Sequence, residues 1–261
     1  MTRYKSGMTR VKVASPNTIS RETDLELLKN LPSQSVDLIL TDPPYVISKS
    51  SGMDGYKKHL DAGGEHKVHP DGSKNQLAFH TDYGEWDSKF TLDHLQLAVD
   101  EMYRVLRPGG SCIIWFDVWK LETLRKILDK FSKHRIIEWM KTNPVPINQS
   151  ATYLSNCREA GISCVKGGKA TFNSKYDKGI YEYPIYQSKD RFHPTQKSLD
   201  LFEELIRKHS NEGDVVVDPY GGSGTTAVAA KLNKRDFYTC EPDETYFVKA
   251  KKRIEEINTL F

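Results

Sequence analysis

The chain has 261 residues, of which 38% are hydrophobic and 28% charged, and its formal net charge is +3. This composition is typical of a soluble globular protein, and no apolar run approaches the roughly 18 residues that a membrane-spanning helix needs. The four cysteines form no Cys-x-x-Cys pair, which argues against a disulfide scaffold and a structural zinc site. We therefore expect a cytoplasmic protein with reduced thiols, whose small positive charge permits a polyanionic partner without establishing one.

Segments with helical and strand periodicity alternate along most of the chain. Leucines spaced three and four residues apart over 24–31 predict an amphipathic helix, and the short apolar run at 35–40 predicts a buried parallel strand. The predicted elements are, in chain order, helix 24–31, strand 35–40, a helix from about Leu92 to a turn at 107–110, strand 111–116, helix 121–131, strand 136–139, helix 199–209, strand 214–217, helix 227–232, strand 237–240 and helix 246–257. This alternation predicts an α/β fold with a mostly parallel sheet and helices on both faces.

Two stretches lack this periodicity. Residues 46–89 are rich in glycine and poor in aliphatic side chains, and we predict a mobile loop there because long irregular stretches of compact domains are usually functional or disordered. Residues 142–192 are also irregular and are rich in Asn, Gly, Tyr and Lys. The histidines of the first stretch have spacings that fit no zinc pattern, so we expect no metal site; they are His59, His66, His69 and His80.

The loop after the first predicted strand reads Asp42-Pro43-Pro44-Tyr45. In parallel sheets, ligands bind at the carboxyl ends of the strands. Two prolines make a rigid turn whose carbonyl groups remain hydrogen-bond acceptors. The Asp42 carboxylate and the Pro43 carbonyl can accept two N–H bonds, and the Tyr45 ring can stack on an aromatic ligand. The loop therefore suits a planar amino group on a flat ring; a plain turn whose tyrosine packs on the core is the alternative.

A second loop, residues 218–226, joins a predicted strand to a helix. Gly221, Gly222 and Gly224 permit close approach of the backbone to a ligand, and the following helix supplies N–H groups at its start. The loop lacks the lysine of a phosphate-binding loop, which disfavours nucleoside triphosphate hydrolysis. Glu241 follows the next predicted strand, where an acid can bind the two hydroxyl groups of a ribose; a surface carboxylate is the alternative.

These residues together resemble the β group of DNA amino-methyltransferases, which use S-adenosylmethionine. The segment 42–45 matches the catalytic motif of that family, 218–226 matches its cofactor motif, and His193-Pro194-Thr195-Gln196-Lys197 matches the segment that precedes the cofactor motif. The resemblance covers about residues 20–48 and 86–257. It implies a Rossmann-like methyltransferase fold, with the whole chain forming a single catalytic domain.

The resemblance also implies roles for individual residues. The catalytic residues would be Asp42, Pro43, Pro44 and Tyr45. The cofactor-binding residues would be Asp24, Asp42, His193, Thr195, Gln196, Lys197, Asp218, Tyr220, Gly222, Ser223, Gly224, Thr225, Thr226 and Glu241. Two positions depart from the family pattern, which usually has phenylalanine where Tyr220 stands and an acid where Thr23 stands, one residue before Asp24.

The implied activity is methyl transfer to the exocyclic N6 of adenine in a specific DNA sequence, because aspartate opens the catalytic motif. Methylation of cytosine N4, methylation of an RNA or protein amide nitrogen, and a catalytically silent DNA-binding module remain alternatives. Interleaved basic and aromatic residues over 158–197 predict DNA contacts, and the family places a small target-recognition region at about 143–192. A homodimer and a companion restriction nuclease are further partners that the family allows.

Overall fold

A computed structural model describes residues 16–44, 90–144, 154–187, 191–193 and 195–257. The chain divides into two compact units, Met1–Pro43 with Asp93–Phe261 and, separately, Pro44–Leu92. The architecture below is that of the first unit. The loop predicted at 46–89 and its histidines lie outside the described residues.

Eight strands of the described chain form one sheet. They are β1 (Thr18–Ser20), β2 (Val36–Thr41), β3 (Leu106–Phe116), β4 (Ser132–Lys141), β5 (Arg158–Val165), β6 (Ile180–Tyr183), β7 (Val215–Asp218) and β8 (Asp236–Cys240). Their order across the sheet is β1-β8-β7-β2-β3-β5-β4-β6. Neighbouring strands run parallel except at β5, which is antiparallel to both β3 and β4. The predicted α/β class with a mostly parallel sheet is confirmed.

Helices fill most of the connections between these strands. They are α1 (Asp24–Asn30), α2 (Leu92–Val105), α3 (Leu121–Ile127), α4 (Leu199–His209), α5 (Thr225–Leu232) and α6 (Glu244–Glu256). Thr23 caps the start of α1, since its hydroxyl accepts from the Glu26 N–H while the Glu26 carboxylate accepts from the Thr23 N–H. In the part of the chain that the structure describes, no helix is both long and apolar enough to cross a membrane.

Helices cover both faces of the sheet. Side chains of β2 alternate between the faces, so Leu38 and Leu40 belong to one buried cluster, to which α4 and α5 also contribute. Ile39 is equally buried but points to the opposite face. The buried side chains of α1 and α2, such as Leu28 and Met102, lie outside the first cluster. This arrangement confirms the expected two-sided packing.

The prediction that residues 142–192 are irregular is wrong for β5 and β6. Strand β5 lies inside the sheet between β3 and β4, and it contains several small residues that gave no apolar periodicity. At Gly161 a Cβ atom would lie 2.5 Å from the Ile114 carbonyl oxygen, so the close approach of β5 to β3 depends on this glycine. A strand of this kind is specified by its distant partners rather than by its own sequence.

The turn predicted at 107–110 is instead an irregularity within β3. Val36 of β2 pairs with Leu106, whereas Leu38 pairs with Ser111, so the β3 segment between them carries extra residues. Gly109 has a φ of +83°, and a Cβ atom there would lie 2.3 Å from the Lys169 carbonyl oxygen. The Pro-Gly-Gly sequence therefore produces a bulge in the strand.

The carboxyl ends of β2 and β7 form the topological switch point of the sheet. These strands are neighbours, but the chain passes from β2 to β3 on one side and from β7 to β8 on the other. Ligands of open α/β sheets bind at such a point. Because β5 is reversed, its first residues also lie at this edge: Ala160 pairs with Phe116 at the end of β3, and Glu159 pairs with Trp139. We call this side of the sheet the carboxyl edge.

Candidate active site

A buried carboxylate joins the two loops at the switch point. Asp218, the last residue of β7, accepts hydrogen bonds from the hydroxyl groups of Thr41 and Thr226, both at 2.6 Å, and from the Tyr220 N–H at 3.0 Å. Burial raises the pKa of the Asp218 carboxyl, and these three donors offset part of the rise. Both oxygens accept protein hydrogen bonds. Asp218 therefore shapes the second loop and holds it against the end of β2.

The glycines of the second loop, residues 218–226, allow it to fold tightly onto β8; we call it the glycine loop. The Gly221 N–H donates to the Cys240 carbonyl at 2.9 Å, and a Cβ atom on Gly221 would lie 2.4 Å from the Thr239 hydroxyl oxygen. Gly222 and Gly224 have φ values of +51° and +74°, in the left-handed region that favours glycine. Gly224 caps α5 in this conformation, which orients the start of the helix toward the carboxyl edge.

Ser223 and Thr225 are held by a residue that sequence reasoning missed. Their hydroxyl oxygens lie 3.0 Å apart. Arg253 of α6 donates to the Ser223 carbonyl and to the Thr225 hydroxyl, each at 3.0 Å. No motif marks Arg253, because its role depends on how α6 packs beside the glycine loop. These contacts fix the loop from the side of α6.

Glu241 lies beside the glycine loop, at the end of β8. Its carboxylate accepts from the Gly222 N–H at 3.0 Å and from the Asp243 N–H at 2.9 Å. Burial raises the Glu241 pKa to about 7, although the two backbone donors lower it. A carboxylate oxygen has two lone pairs, so each Glu241 oxygen can accept one more hydrogen bond. The predicted ribose contact is compatible with this geometry and stays a prediction.

Asp24 and Tyr220 form a buried link between α1 and the glycine loop. The Tyr220 hydroxyl donates to the Asp24 carboxylate at 2.6 Å, and His94 Nε2 lies 2.8 Å from the same carboxylate oxygen. The hydroxyl group that distinguishes Tyr220 from the phenylalanine usual in the family therefore has a structural partner. Because protein side chains already contact Asp24, its predicted cofactor contact stays a prediction. No sequence pattern indicated that His94 would contact Asp24.

His193 packs on the glycine loop. A Cβ atom at Gly222 would lie 3.3 Å from the His193 ring, and the ring of Tyr246 meets it edge to face with centroids 4.5 Å apart. Burial, together with the positive charges of Lys197 and Arg191, lowers the His193 pKa to about 4. The imidazole is therefore neutral at pH 7, and its Nδ1 accepts a hydrogen bond from the Thr195 N–H at 3.3 Å.

Gln196 presents a buried acceptor in the same segment. Its N–H donates to the His193 carbonyl at 3.3 Å, and the residue is 4% exposed. Its side-chain oxygen Oε1 has no hydrogen-bond partner among the residues that the structure describes. Buried polar atoms are almost always satisfied, so this oxygen fits a ligand that offers an N–H or O–H donor.

Lys197 contacts Asp42 in the loop that matches the catalytic motif, residues 42–45, which we call the catalytic loop. Its Nζ lies 3.0 Å from Asp42 Oδ2 and 2.5 Å from a carboxylate oxygen of Glu159. Lys141 contacts the other Glu159 oxygen at 2.7 Å. Burial alone would raise the Glu159 pKa, but the two lysines hold it at about 2. Sequence reasoning did not identify Glu159 or Lys141. Tyr45 and Pro194 lie outside the described residues.

The segment predicted to contact DNA, 158–197, is divided between the two edges of the sheet. Because β5 is antiparallel, the chain after it emerges on the side of the sheet opposite the carboxyl edge, which we call the amino edge. There the Gly109 N–H donates to the Lys166 carbonyl at 2.9 Å. One of the aromatic side chains, Tyr181, is 4% exposed and packs in the core, whereas Phe172 is 41% exposed although its ring packs edge to face on His209. The chain returns to the carboxyl edge at the end of β6.

Comparisons with known proteins show which proteins this chain is similar to. The DNA methylase family N6_N4_Mtase matches residues 36–252. The chain is 30% identical over 265 residues to the Type II methyltransferase M.HinfI of Haemophilus influenzae, covering 92% of this chain and 69% of the relative. It is 29% identical to the Type II methyltransferase M2.DpnII of Streptococcus pneumoniae, covering 89% and 87%. The crystal structure of the M1.HpyAVI–SAM complex aligns with a TM-score of 0.62 and 27% identity, covering 90% of this chain and 98% of that one.

Proposed function

Because the chain belongs to the N6_N4_Mtase family of DNA methylases, we propose that it transfers a methyl group to the exocyclic N6 of adenine in a specific DNA sequence. The predicted family, enzyme class and methyl donor are confirmed: the protein is a DNA methyltransferase that uses S-adenosylmethionine. The observation that carries transfer to an exocyclic amine is the position of Asp42 and Pro43 at the switch point, beside the strand that carries the glycine loop. The aspartate that opens the loop favours adenine over cytosine, as the family resemblance implies.

The glycine loop and its neighbours fit S-adenosylmethionine. Glu241 lies at the end of β8 with spare acceptor capacity for ribose hydroxyl groups. The Gln196 side-chain oxygen, which has no hydrogen-bond partner among the described residues, offers a further acceptor for an N–H or O–H donor. When bound, S-adenosylmethionine supplies an already activated methyl group, so the protein must position the amine rather than provide a strong base.

Asp42 and Pro43 supply acceptors for the amine of the target base. The lone pair of an adenine amino group is delocalised into the ring, which makes the nitrogen a poor nucleophile. Hydrogen bonds to the Asp42 carboxylate and the Pro43 carbonyl would draw the two N6 hydrogens toward a tetrahedral arrangement and localise the lone pair. The carboxylate also stabilises the positive charge that develops on the nitrogen during the reaction. The extra proton leaves after transfer.

The target base must leave the DNA helix to reach this loop. Enzymes that act on a base in duplex DNA flip it out, at a cost of a few kcal/mol, and stack it in a pocket. Tyr45 is the proposed stacking residue. The carboxyl edge is where DNA would approach, and there Asn143 accepts from the Ile185 N–H at 2.6 Å and so joins the loops that follow β4 and β6. We assign these loops to the proposed target-recognition region at about 143–192.

The setting of the enzyme is proposed from its relatives. Two of them are named Type II methyltransferases, which supports a restriction-modification role, cytoplasmic action and a companion restriction nuclease. A homodimer is proposed as well, and the molar mass in solution tests it. Transfer to cytosine N4 remains the second candidate, because the matching family is named for both nitrogen atoms and both bases present an exocyclic amine.

Transfer of labelled methyl from S-adenosylmethionine to unmethylated DNA tests the proposal. We expect the wild type to label DNA and Asp42→Asn to lose at least about 10²-fold in rate, the scale of removing one stabilising polar group, while cofactor affinity is retained. Asp117→Asn is the matched control, since Asp117 follows β3 at the same edge as Asp42 follows β2. Full activity in Asp42→Asn would overturn the assignment of Asp42.

A further inference from the structure

Four charged side chains form a continuous cluster behind the catalytic loop. Their signs alternate in the order Asp42, Lys197, Glu159 and Lys141. Successive charged atoms are 3.0, 2.5 and 2.7 Å apart. We call this set the charge cluster. Its two carboxylates and two ammonium groups balance, so that the cluster carries no net charge.

The reversed strand β5 brings the charge cluster together. Glu159 is the second residue of β5 and pairs with Trp139 of β4, so it lies at the carboxyl edge although it stands near the start of its strand. Lys141 is the last residue of β4, and Lys197 precedes α4 by two residues. Three separate segments therefore converge on Asp42, and a parallel β5 would carry Glu159 to the opposite edge.

Lys197 is placed to control the Asp42 carboxylate. It is 7% exposed, and buried lysines need partners. Its ammonium group contacts one oxygen of Asp42, which restricts rotation of that carboxylate. A lysine paired with Asp42 alone would also cancel the negative charge that a developing ammonium on the base requires. Glu159 lies nearer to Lys197 than Asp42 does and offsets part of its charge, whereas Lys141 lies on the far side of Glu159. Asp42 is therefore held in place while part of its negative field is preserved.

We propose that Lys197 is a positioning residue for Asp42 and that Glu159 is the counter-charge that makes this positioning compatible with catalysis. The inference rests on the proposed function, because it concerns the same reacting amine. It differs from the role implied by the family resemblance, in which Lys197 contacts the cofactor. The two roles separate experimentally: a cofactor ligand controls affinity for S-adenosylmethionine, whereas a positioning residue controls the rate of the bound complex.

The test compares Lys197→Met, Lys197→Arg and Glu159→Gln with the wild-type enzyme. The measurements are the dissociation constant of S-adenosylmethionine and the single-turnover rate of DNA methylation. We expect Lys197→Met to lose at least about 10²-fold in rate, the scale of losing an oriented electrostatic group, with cofactor affinity changed by less than about threefold. Arginine retains the charge and can contact two carboxylates, so Lys197→Arg should recover at least about tenfold of the lost rate.

Glu159 is tested through its dependence on Lys197. Glu159→Gln should lower the rate by about tenfold or more, because Lys197 then neutralises Asp42 without an offset. The double variant with Lys197→Met should lose much less than the product of the single effects, since both act on one carboxylate. Multiplicative losses would contradict the proposed route through Lys197.

Lys208→Met is the matched control for lost ion pairs. Lys208 also bridges two acids, Asp177 and Glu204, each at 2.5 Å, but Asp177 precedes β6 at the amino edge. We expect Lys208→Met to lower the melting temperature while leaving the single-turnover rate within about twofold of wild type. An equal loss of rate in Lys208→Met and Lys197→Met would show that the effect is general destabilisation.

The outcomes distinguish this inference from the proposed function. Wild-type methylation of adenine together with an unchanged rate in Lys197→Met, or with a weakened cofactor affinity as its main defect, overturns the positioning role and leaves the function intact. Absence of adenine methylation by the wild type overturns both. If Lys197→Met does not fold, the rate of Glu159→Gln decides, and a wild-type rate in that variant refutes the proposal.

Discussion

The Thr41 hydroxyl donates a 2.6 Å hydrogen bond to Asp218, joining the end of β2 to the end of β7. Thr41 directly precedes Asp42, and Asp218 opens the glycine loop. Because the Thr226 hydroxyl donates to the other Asp218 oxygen at 2.6 Å, one buried carboxylate fixes the starting points of the catalytic loop, the glycine loop and α5. The spacing between the reacting groups thus depends on a side chain that need not touch either ligand.

Replacing Thr41 with valine should destabilise the protein. Valine has nearly the same shape, but it removes one of the two donors to the buried Asp218 Oδ1, leaving only the Tyr220 N–H, at an expected cost of about 1–3 kcal/mol in the free energy of unfolding. Urea denaturation measures this loss. Thr239→Val is the matched control, because Thr239 is 1% exposed and its hydroxyl has no hydrogen-bond partner in the described part of the chain. Equal losses in the two variants would contradict the role given to Thr41.

Glu241 should make the folded protein less stable as the pH rises from 4.5 to 7. Burial raises its pKa from 4.5 to about 7, so the folded protein retains a proton that the unfolded chain has already released. Stability therefore falls across this interval, and the full penalty of about 3 kcal/mol is present above pH 7.

Glu241→Gln removes this titration. The free energy of unfolding of the wild type relative to the variant should be greater at pH 5 than at pH 8, by about 2.5 kcal/mol. Denaturation curves at the two pH values measure the difference. The exposed Glu244, replaced by glutamine in the same way, should leave the wild-type profile unchanged. A pH-independent difference for Glu241→Gln would show that this carboxyl titrates normally.

His209 should contribute to acid unfolding. Burial lowers its pKa from 6.5 to about 4, and its Nδ1 lies 3.2 Å from the Ser111 hydroxyl. The unfolded chain takes up a proton near pH 6.5, whereas the folded chain does so only near pH 4. Stability therefore falls as the pH drops from 6.5 to 4, by about 3 kcal/mol for one such group.

His209→Asn should remove this contribution of about 3 kcal/mol to acid unfolding, while the contribution of His193, whose pKa is also lowered to about 4, remains. The free energy of unfolding, measured at intervals between pH 7 and pH 4, tests the expectation. His134→Asn, a change at a partly exposed histidine, provides the comparison. The proposed role of His209 is wrong if the free energy of unfolding changes with pH equally in His209→Asn and in the wild type.

Tyr220→Phe should cost stability but leave methyl transfer intact. The change removes the 2.6 Å hydrogen bond to the Asp24 carboxylate, and hydrogen bonds to charged groups contribute about 2 kcal/mol. The family usually has phenylalanine at this position, so the ring alone should support the glycine loop. Thermal denaturation and the methylation rate are measured together with Tyr238→Phe, whose hydroxyl has no hydrogen bond to described residues. A loss of rate in Tyr220→Phe would assign the hydroxyl a role in the reaction.

The parallel part of the sheet and its two loops could be predicted because their signals are local. Strands β2 and β7 are short apolar runs, and each ends at an Asp-Pro sequence that stops the strand. Because ligands bind at the carboxyl ends of parallel strands, Asp42 and the glycine loop were expected to lie at one site. The sequence showed that Tyr220 replaces the phenylalanine usual in the family. It could not show that the Tyr220 hydroxyl contacts Asp24, because this contact depends on how α1 packs.

The charge cluster could not be predicted, because it depends on the direction of β5. Nothing in the sequence of β5 specifies that it inserts antiparallel between β3 and β4. If the direction of β5 is not known, the sequence gives no reason to expect Glu159 near Lys197. Lys197 is then grouped with residues 193–196 as a predicted cofactor-binding residue. The same reversal of β5 sends the basic residues after β5 to the amino edge, so the basic and aromatic residues over 158–197 do not all lie at one edge, and their predicted DNA contacts stay a prediction.

The identity of the methylated nucleoside tests the central claim most directly. Unmethylated DNA is incubated with the enzyme and S-adenosylmethionine carrying a heavy-isotope methyl group, then digested to nucleosides and analysed by mass spectrometry. The account predicts labelled N6-methyldeoxyadenosine, absent when Asp42→Asn replaces the wild type. Label in N4-methyldeoxycytidine, or no labelled nucleoside from an enzyme that binds the cofactor, would contradict it.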